Sequence, residues 1–361
     1  MILKVIKKLF KAIAVLLASV LVLAAGMLAF FWITEFKPGD TGATAVLEIE
    51  NEAQNNVKVG DSIKFMAWNL GYGALGDNAD FFMDGGTSVY TADEKRVNSN
   101  LTGMLVEIKA NDPDILLLQE VDRDSSRSYH TDEYKRFQDE LAGYSSCFAN
   151  NFKVVYLPYP IPPIGQVDSG IASFSKYQTE SAERVQLPIP FKWPYRMVNL
   201  KRCLIISRTP VEGSDKELVV INLHLEAYDS GKGKVEQTKA LSEIMKLEQD
   251  KGNYVIVGGD FNQGFSSVDA SEYPLMPDVW HPGMIDVDSI DGNWQFLIDE
   301  TTPSCRSLDQ PYIGTKLSKF QYYLIDGYIV SDNIKVEDLH AVQTDFVYSD
   351  HNPVIATFTL K

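Results

Sequence analysis

The longest unbroken hydrophobic stretch of the chain lies near its start. Four lysines between positions 4 and 11 precede an uncharged apolar run, Ala12–Ile33, of 22 residues. A helix that crosses a bilayer needs roughly 20 apolar residues, and lysines flanking one end favour the cytoplasmic side. Residues 1–33 are therefore predicted to be a basic cytoplasmic end and a single membrane anchor through residues 12–33. This places the rest of the chain outside the cytoplasm, held at the cell membrane.

A cleaved secretory signal is the alternative interpretation of this run. Such a signal has a shorter apolar region, about 7–15 residues, followed by a cleavage site with small residues. Here the run continues through Phe30, Phe31 and Trp32 without a polar break, and Ala24-Ala25-Gly26 lies in its middle. We therefore favour a retained anchor.

A different pattern of hydrophobic positions follows the anchor. Residues 34–61 are polar and are interpreted as a stalk or linker with a short strand near 45–49. From residue 62 to 361, short segments that are apolar on both faces alternate with turns and a few amphipathic stretches, which indicates two sheets covered by helices, an α/β sandwich. The predicted strands are Ser62–Leu70, Asp114–Glu120, Gly170–Phe174, Arg202–Ser207, Leu218–Leu225, Tyr254–Gly258, Tyr322–Ser331 and Val354–Leu360, and the predicted helices are 91–109 and Val235–Gln249.

Charge and cysteine content exclude some classes of protein. Residues 1–33 carry four lysines and no acid, so the remainder has 29 basic and 49 acidic residues, a net charge of −20. That charge repels nucleic acid unless basic residues are concentrated locally, and the sequence has no run of Lys and Arg interleaved with aromatics. Cys147, Cys203 and Cys305 are scattered, so they form neither a zinc spacing nor a disulfide framework; at most one pair could bridge.

Polar side chains recur at the ends of the strongest predicted strands, where an α/β sheet binds its ligands. Each one alone has a structural explanation, such as shaping a turn, capping a helix or filling a core. Their recurrence at successive strands favours a shared site. The set is Asn69, Glu120, His224, Asp260, Asn262, Asp326, Asp350 and His351.

These residue types support one kind of chemistry. Carboxylate and amide oxygens bind Mg²⁺ or Mn²⁺ rather than zinc. Two histidines beside carboxylates can act as general base and general acid. A divalent ion with an activated water is a standard means of cleaving a phosphoester. The motifs of P-loop proteins, serine hydrolases and zinc proteases are missing from the sequence.

Six ordered motifs resemble those of the DNase-I-like endonuclease/exonuclease/phosphatase superfamily, and with the anchor they resemble a membrane-anchored bacterial-type member. Their order and spacing cover nearly all of residues 62–361, which the resemblance makes the catalytic domain. It implies a four-layer α/β/β/α sandwich. The motifs are Ala67-Trp68-Asn69-Leu70-Gly71, Leu118-Gln119-Glu120-Val121, Asn222-Leu223-His224-Leu225, Gly259-Asp260-Phe261-Asn262, Ile325-Asp326-Gly327-Tyr328 and Ser349-Asp350-His351-Asn352-Pro353.

The resemblance implies a metal site for Mg²⁺, or Mn²⁺. Glu120 is expected to be the principal ligand, with Asn69 beside it holding metal or phosphate. Asp350 is expected at or near the ion.

The resemblance also implies catalytic roles. Asp326 is expected to orient His351, which polarises the attacking water, and this pairing predicts a His351 pKa modestly above about 6.5. Asp260 and Asn262 are expected to position the water and the phosphoryl oxygens. His224 is expected to stabilise the transition state or assist the leaving group.

The stretch after the metal-binding glutamate is a candidate substrate site. Arg127, Tyr129 and His130 follow Glu120 closely and could meet a substrate phosphate, or they could form a solvated loop. Both interpretations stay open at this stage.

Other segments have two interpretations each. Residues 75–86 could form a lid or a turn cluster, and the proline-rich stretch 156–165 could wall a cleft or be an inert loop. Asp168 is a weak candidate for the acid that supports His224. Arg306 and Tyr312 have no assigned role.

Three functions are consistent with these observations. The first is a metal-dependent phosphodiesterase or phosphatase, expected to be monomeric, acting outside the cytoplasm on a small or lipid-linked phosphoester. The second is an extracellular nuclease, which needs a basic groove that the sequence does not display. The third is a non-catalytic binding module on the same fold, although every expected catalytic position is filled.

Overall fold

The first element is a long helix that projects from the rest of the protein. In a computed structural model, which describes residues 2–51, 53–229, 231–277, 279–313 and 320–361, α1 spans Ile2–Thr34. Its most apolar window has a mean hydropathy of 2.7, and none of that window is buried. By length and composition α1 can cross a membrane, so it is compatible with the predicted anchor.

The described residues of the domain contain three further helices and two main sheets. The helices are α2 (Glu94–Asn111), α3 (Glu133–Glu140) and α4 (Lys232–Asp250). The strands are β1 (Thr44–Val46), β2 (Val57–Lys58), β3 (Ser62–Asn69), β4 (Ile115–Asp122), β5 (Ser145–Leu157), β6 (Gly165–Ser175), β7 (Ser181–Gln186), β8 (Cys203–Glu212), β9 (Glu217–His224), β10 (Tyr254–Asp260), β11 (Gln263–Phe265), β12 (Gly283–Ile285), β13 (Trp294–Leu297), β14 (Cys305–Arg306), β15 (Tyr322–Tyr323), β16 (Asp326–Ser331), β17 (Ile334–Ala341) and β18 (Val354–Leu360).

Two mixed sheets face each other. One has eight strands in the order β1-β7-β8-β9-β10-β16-β13, with β2 paired to β8, and the other has six in the order β17-β18-β3-β4-β6-β5. The parallel pairs β9–β10 and β3–β4 lie near the middle of their sheets. Short pairs β11–β12 and β14–β15 lie outside them.

The alternating direction of side chains along the central strands explains why helices and sheets form four layers. Along β3, Phe65 points into the core between the sheets, whereas Met66 and Trp68 pack beneath α2. On the other sheet, Val257 packs beneath α4, whereas Ile256 joins the core between the sheets. Because side chains on a strand point alternately to opposite faces, strands that are apolar on both faces need cover on both sides. The result is the predicted four-layer α/β/β/α sandwich.

Three details of the predicted elements are wrong. Helix α2 begins after Asp93, whose side chain accepts a hydrogen bond from the Arg96 amide, rather than at Thr91, because aspartate is a strong N-cap. The strand predicted at 322–331 is two strands, β15 and β16. The long strands β5 and β17 were not predicted, because both are sheet edges with irregular, partly polar patterns.

The segment 34–61 lies against the eight-stranded sheet. Its strand β1 pairs with β7, and β2 pairs with β8. Between them, Glu50 forms an isolated bridge with Ser146 on β5, the edge strand of the six-stranded sheet, and the Ala53 side chain is buried. These contacts tie the segment to both sheets, while the division of the chain into anchor, stalk and catalytic domain remains a prediction.

Candidate active site

Three neighbouring strands of the eight-stranded sheet carry polar side chains at one register. His224 on β9 lies opposite Asp260 on β10, which in turn lies opposite Asp326 on β16. Gly259 has a φ of +136°, and a Cβ there would lie 2.2 Å from the Leu223 carbonyl oxygen, so the position requires glycine. The register therefore brings an imidazole and two carboxylates together at one edge of the sheet.

The six-stranded sheet contributes residues from β3 and β4. Asn69 ends β3 opposite Gln119 on β4, and Glu120 follows with a φ of +51°. The ladder to β6 shifts register between Leu118 and Val121, which leaves Glu120 out of the regular alternation. A left-handed backbone costs a non-glycine residue roughly 1–3 kcal/mol, so the fold holds Glu120 in a strained position. Its side chain lines the central cavity.

Hydrogen bonds join the polar ends of the two sheets. The Asn69 Nδ2 atom lies 3.3 Å from Glu120 Oε1 and 3.0 Å from Asp260 Oδ2, and donates to both. Its Oδ1 accepts from the Gly71 amide at 3.0 Å. The Asn262 amide donates to Asp260 Oδ1 at 2.8 Å. Asn69 therefore orients both a predicted metal ligand and a predicted catalytic carboxylate.

The loop before β18 carries the second histidine. His351 Nδ1 lies 2.8 Å from Asp326 Oδ2. The Ser349 hydroxyl donates to the Asn69 carbonyl at 2.8 Å, and the Trp68 indole donates to the His351 carbonyl at 2.9 Å. These bonds tie the loop to β3 and fix the imidazole against the other sheet.

The two histidines have opposite electrostatic surroundings. Burial disfavours the cation of His351, but the charges of Asp326, Cys305 and Asp350 raise its pKa well above the usual value. Burial and the nearby Arg202 cation lower the pKa of His224 well below the usual value. The rise in the His351 pKa is larger than the modest rise predicted from the sequence, because Cys305 and Asp350 add to the effect of Asp326. The site therefore holds one imidazole that retains its proton and one that stays neutral.

His224 faces the same carboxylate as His351. Its Nε2 atom lies 3.3 Å from Asp260 Oδ2 and 4.0 Å from Glu120 Oε1, while His351 Nε2 lies 3.9 Å from the same Asp260 oxygen. Within the described residues, the buried Nδ1 of His224 has no hydrogen-bond partner. Asp168 does not supply one, because its carboxylate accepts from Asn150 and Lys153.

Mutual repulsion marks the carboxylates of the site. Burial, with the charge of Asp326, raises the pKa of Asp260 to about 7. Burial, with the charge of Glu120, raises the pKa of Asp350 to about 6 although His351 lowers it. Neighbouring carboxylates therefore add to the pKa increases that burial causes, and a bound cation would offset that repulsion.

Two groups of described side chains bring potential ligand atoms within 4.8 Å of one another. One group is Asp260, Asp326 and His351, and the other is Cys305, Asp350 and His351. Asp350 is thus in one of them, and Glu120 lies near enough to raise the Asp350 pKa. The residues present fit a divalent cation whose ligands are oxygens.

Arg127 lines the same cavity. Its guanidinium binds Asp122 through two hydrogen bonds, of 2.9 and 3.1 Å, and Ser169 at 3.2 Å. It also stacks on Tyr72, with its carbon 3.6 Å from the ring centroid. This pairing fixes the side chain at the cavity wall and offsets part of its charge.

Tyr129 and His130 point elsewhere. The Tyr129 hydroxyl donates to the Ala92 carbonyl at 3.0 Å, and His130 Nδ1 lies 2.6 Å from Asp124 Oδ1 on the surface. Neither side chain is part of the cavity lining. Their role in substrate binding stays a prediction.

Two further residues face the cluster from loops. The Tyr228 hydroxyl donates to Asp84 Oδ1 at 3.1 Å, and both side chains line the cavity. Burial and the charge of Asp350 raise the pKa of Asp84 to about 7. Residues 75–86 thus form a wall of the site, and their aspartate-rich composition was the signal in the sequence.

Arg202 was missed as a site residue because it immediately precedes a buried strand. It is 3% exposed and lines the cavity. In the part of the chain that the structure describes, its guanidinium has no hydrogen bond or ion pair, and its Nε atom is fully buried. Arg306, by contrast, donates to the carbonyls of Gly76 and Ser307. Arg202 is therefore a buried cation that faces the cavity without a protein partner.

The cluster opens into a cavity of about 810 Å³. Asp350, His351 and Glu120 lie among its polar lining residues, and apolar side chains from 75–86 and 156–165 also line it. All three cysteines are buried and free, and Cys305 lies in the cavity wall.

Comparison with known proteins identifies the class. A four-layer sandwich with carboxylates and histidines at its central strand ends is the architecture of enzymes that act on phosphoester bonds. The model of the Endonuclease/Exonuclease/phosphatase family matches residues 66–309, so the chain belongs to this family. No curated protein matches the chain.

Solved structures share the fold at low identity. An endonuclease/exonuclease/phosphatase from Beutenbergia cavernae is 20% identical with a TM-score of 0.55, covering 83% of this chain and 72% of that one. The human Nocturnin catalytic domain with bound sulfate is 17% identical with a TM-score of 0.53, covering 87% and 98%. A Bacteroides vulgatus endonuclease/exonuclease/phosphatase is 14% identical with a TM-score of 0.54, covering 83% and 100%.

Proposed function

We propose that this chain is a Mg²⁺- or Mn²⁺-dependent hydrolase of phosphoester bonds. The observation that carries the proposal is the position of Asp260 Oδ2, 3.3 Å from His224 Nε2 and 3.9 Å from His351 Nε2. Two imidazoles with opposite pKa shifts thus meet at one carboxylate. Such a group can hold a water and exchange protons with the reacting oxygens.

Glu120 and Asp350 would hold the cation, with Asn69 beside them. The excess of carboxylates and the raised pKa of Asp350 support this assignment. When bound, the ion would polarise a phosphoryl oxygen, offset negative charge and lower the pKa of nearby acids.

The protein side chains would divide the remaining work. Asp326 fixes the tautomer and orientation of His351, and His351 Nε2 and Asp260 hold the attacking water. Asn262 fixes Asp260 through its amide. His224, neutral because of burial, donates a hydrogen bond to a phosphoryl oxygen or to the leaving oxygen.

The alternatives have less support. A nuclease needs a cationic groove, but the described lining of the cavity sets four carboxylates against three arginines, and Arg127 is already paired with Asp122. A non-catalytic module would not need two histidines and a buried cation around one cavity. We place the enzyme outside the cytoplasm, held by residues 12–33, because lysines flank the other end of the helix.

A chromogenic phosphodiester and phosphomonoester test the proposal. The full chain in detergent should hydrolyse at least one of them with Mg²⁺ or Mn²⁺ and lose the activity with EDTA. Asp260→Asn should lower kcat by about 10²–10⁴-fold, the range for loss of one acid–base group. Asp332→Asn, at an exposed position, is the matched control. Activity that survives EDTA, or an unimpaired Asp260→Asn, would contradict the proposal.

A further inference from the structure

The cavity of the candidate site reaches the membrane helix. Phe31 is one of its lining residues. It lies near the end of the 22-residue apolar run, four residues before Glu35. Between Phe31 and the catalytic cluster the wall is largely apolar. Its side chains include Phe152, Leu157, Phe191, Tyr195, Val198 and Leu200.

The end of α1 is fixed against this wall. Glu35 Oε1 lies 2.9 Å from Lys201 Nζ and 3.3 Å from Arg196 Nε. The side chains of Glu35 and Lys201 are each 3% exposed. A buried ion pair of this kind holds the helix end and the residues before β8 in one arrangement, so the cavity does not swing away from α1.

Exposed aromatic and aliphatic side chains lie on, or next to, segments that line the cavity. Tyr159 and Ile161 on the proline-rich loop are 71% and 91% exposed, and Trp193 and Tyr195 are 61% and 73% exposed. Trp32 on α1 is 59% exposed. Tryptophan and tyrosine are enriched where a protein meets the boundary between water and lipid. These side chains would rest at that boundary if α1 spans the bilayer.

The polar end of the cavity offers one unsatisfied cation. Arg202 follows Lys201 directly, yet its guanidinium has no partner in the described residues, whereas Lys201 is paired. Arginine binds phosphate oxygens through several donors at once. The cavity therefore joins an anion-binding group to an apolar channel that ends at the membrane.

From this continuity we infer that the substrate is a membrane lipid phosphoester, whose phosphate binds at the cluster and whose hydrocarbon chain occupies the channel between Val198 and Phe31. The inference rests on the proposed function and specifies its substrate. Hydrolysis consumes one water: its oxygen bonds to phosphorus, one P–O ester bond breaks, and the leaving alcohol oxygen takes a proton. The volume of about 810 Å³ lies within the range of about 300–1,000 Å³ for pockets that enclose a ligand.

Two chromogenic diesters distinguish recognition of the hydrocarbon chain of the substrate from recognition of its phosphate. Methyl p-nitrophenyl phosphate and hexadecyl p-nitrophenyl phosphate have the same scissile bond and differ only in the alkyl group. With both esters assayed in the same detergent solution and the full chain with Mg²⁺, we expect kcat/KM to be on the order of 100-fold higher for the hexadecyl ester. Equal values for the two esters would overturn the lipid inference and leave the hydrolase proposal intact. No cleavage of either ester would instead count against the proposed function.

Filling the channel should remove the advantage of the long chain. Val198→Trp places an indole in the apolar wall, so the hexadecyl ester should lose at least roughly tenfold in kcat/KM while the methyl ester keeps its rate. Val106→Trp, the same change on the exposed face of α2, should leave both rates unchanged. A Val198→Trp enzyme that keeps the full preference would overturn the inference.

A second variant covers the case in which the Val198→Trp protein does not fold. Leu157→Trp fills the channel from the opposite, proline-rich side. If Val198→Trp loses both activities, Leu157→Trp decides, with the same selective loss expected and an unchanged preference contradicting the inference. Faster cleavage of single-stranded DNA than of the hexadecyl ester by the wild type would also contradict it.

Discussion

The Nδ1 atom of His351 lies 2.8 Å from the Oδ2 atom of Asp326, across the gap between the two sheets. Asp326 begins β16 of the eight-stranded sheet, and His351 precedes β18 of the six-stranded sheet. Both side chains are buried. The other oxygen of Asp326, Oδ1, has no hydrogen-bond partner among the described residues, so the carboxylate is committed to the imidazole.

This pair should act as one catalytic unit. His351→Ala should lower kcat by about 10²–10⁴-fold, and Asp326→Asn should lower it less because it disturbs the orientation of the imidazole without removing it. The double variant should be close to His351→Ala rather than to the product of the two losses. Steady-state kinetics of the four proteins measure this, and His340→Ala, an exposed histidine beside Asp338, is the control. A large fall in melting temperature with the rate per folded molecule intact would show that the pair is structural.

Arg202 should contribute to substrate binding at a cost in stability. Arg202→Met should lower kcat/KM by about 10–100-fold, because one charge-assisted hydrogen bond is worth about 1.5–3 kcal/mol. It should also raise the melting temperature, since it removes a buried cation that has no partner. The adjacent Lys201→Met should instead lower the melting temperature by breaking the pair with Glu35. Arg202→Met that unfolds at a lower temperature than wild type would contradict this view.

Glu120 should determine metal affinity. Glu120→Gln keeps the shape of the side chain but removes the charge that binds a divalent cation. We expect weaker Mg²⁺ binding by calorimetry and a higher Mg²⁺ concentration for half-maximal rate. Glu180→Gln, at an exposed position, should change neither quantity. If Glu120→Gln binds metal and turns over normally, another residue is the ligand.

Acid should weaken the fold through Glu248, far from the catalytic cluster. Although burial opposes it, hydrogen bonds from Arg208, Lys251 and Asn253 lower the Glu248 pKa from 4.5 to about 2. A depressed carboxyl pKa stabilises the fold above the unfolded value of 4.5, and this contribution is lost as the pH falls toward about 2.

Urea unfolding of the wild type and of Glu248→Gln measures this contribution. The variant should be less stable near neutral pH and should lose less stability between about pH 5 and pH 2. Glu243→Gln is the control, because Glu243 is exposed and lies 3.9 Å from Lys239. An identical acid dependence in all three proteins would exclude a role for Glu248.

The anchor should remain part of the mature protein. We expect residues 12–33 to be present and the protein to stay with membranes after a high-salt wash, because the apolar run continues unbroken to Ile33. N-terminal sequencing checks the first point. A mature start after about Trp32 would identify the segment as a cleaved signal.

The strands that carry the candidate site were predictable because polar residues recur at their ends. Most motif residues lie at an end of a strand that is apolar on both faces, so position along the chain was enough to predict that Asn69, Glu120, His224, Asp260 and Asp326 meet. The structure brings these residues together: Asn69 donates to Glu120 and Asp260, His224 Nε2 lies 3.3 Å from Asp260 Oδ2, and Asp326 lies opposite Asp260 in the sheet.

Other features of the site depend on three-dimensional packing that the sequence does not determine. Arg202 has no local pattern in the sequence, and only the structure shows that its buried Nε atom has no hydrogen-bond partner among the described residues. The composition of residues 75–86 was a signal, but the contact of Asp84 with Tyr228, 144 residues later, is set by the fold. The contact of Phe31 with the cavity depends on how α1 packs, which periodicity does not determine.

The positive φ of Glu120, +51°, sets stability against activity at a single position. Glycine and asparagine adopt this backbone region more readily than glutamate, so either would relax the chain there while removing the carboxylate. On the proposed metal-binding role of Glu120, heat resistance and turnover favour different residues at position 120. A glutamate there is a cost in stability that the fold itself does not require.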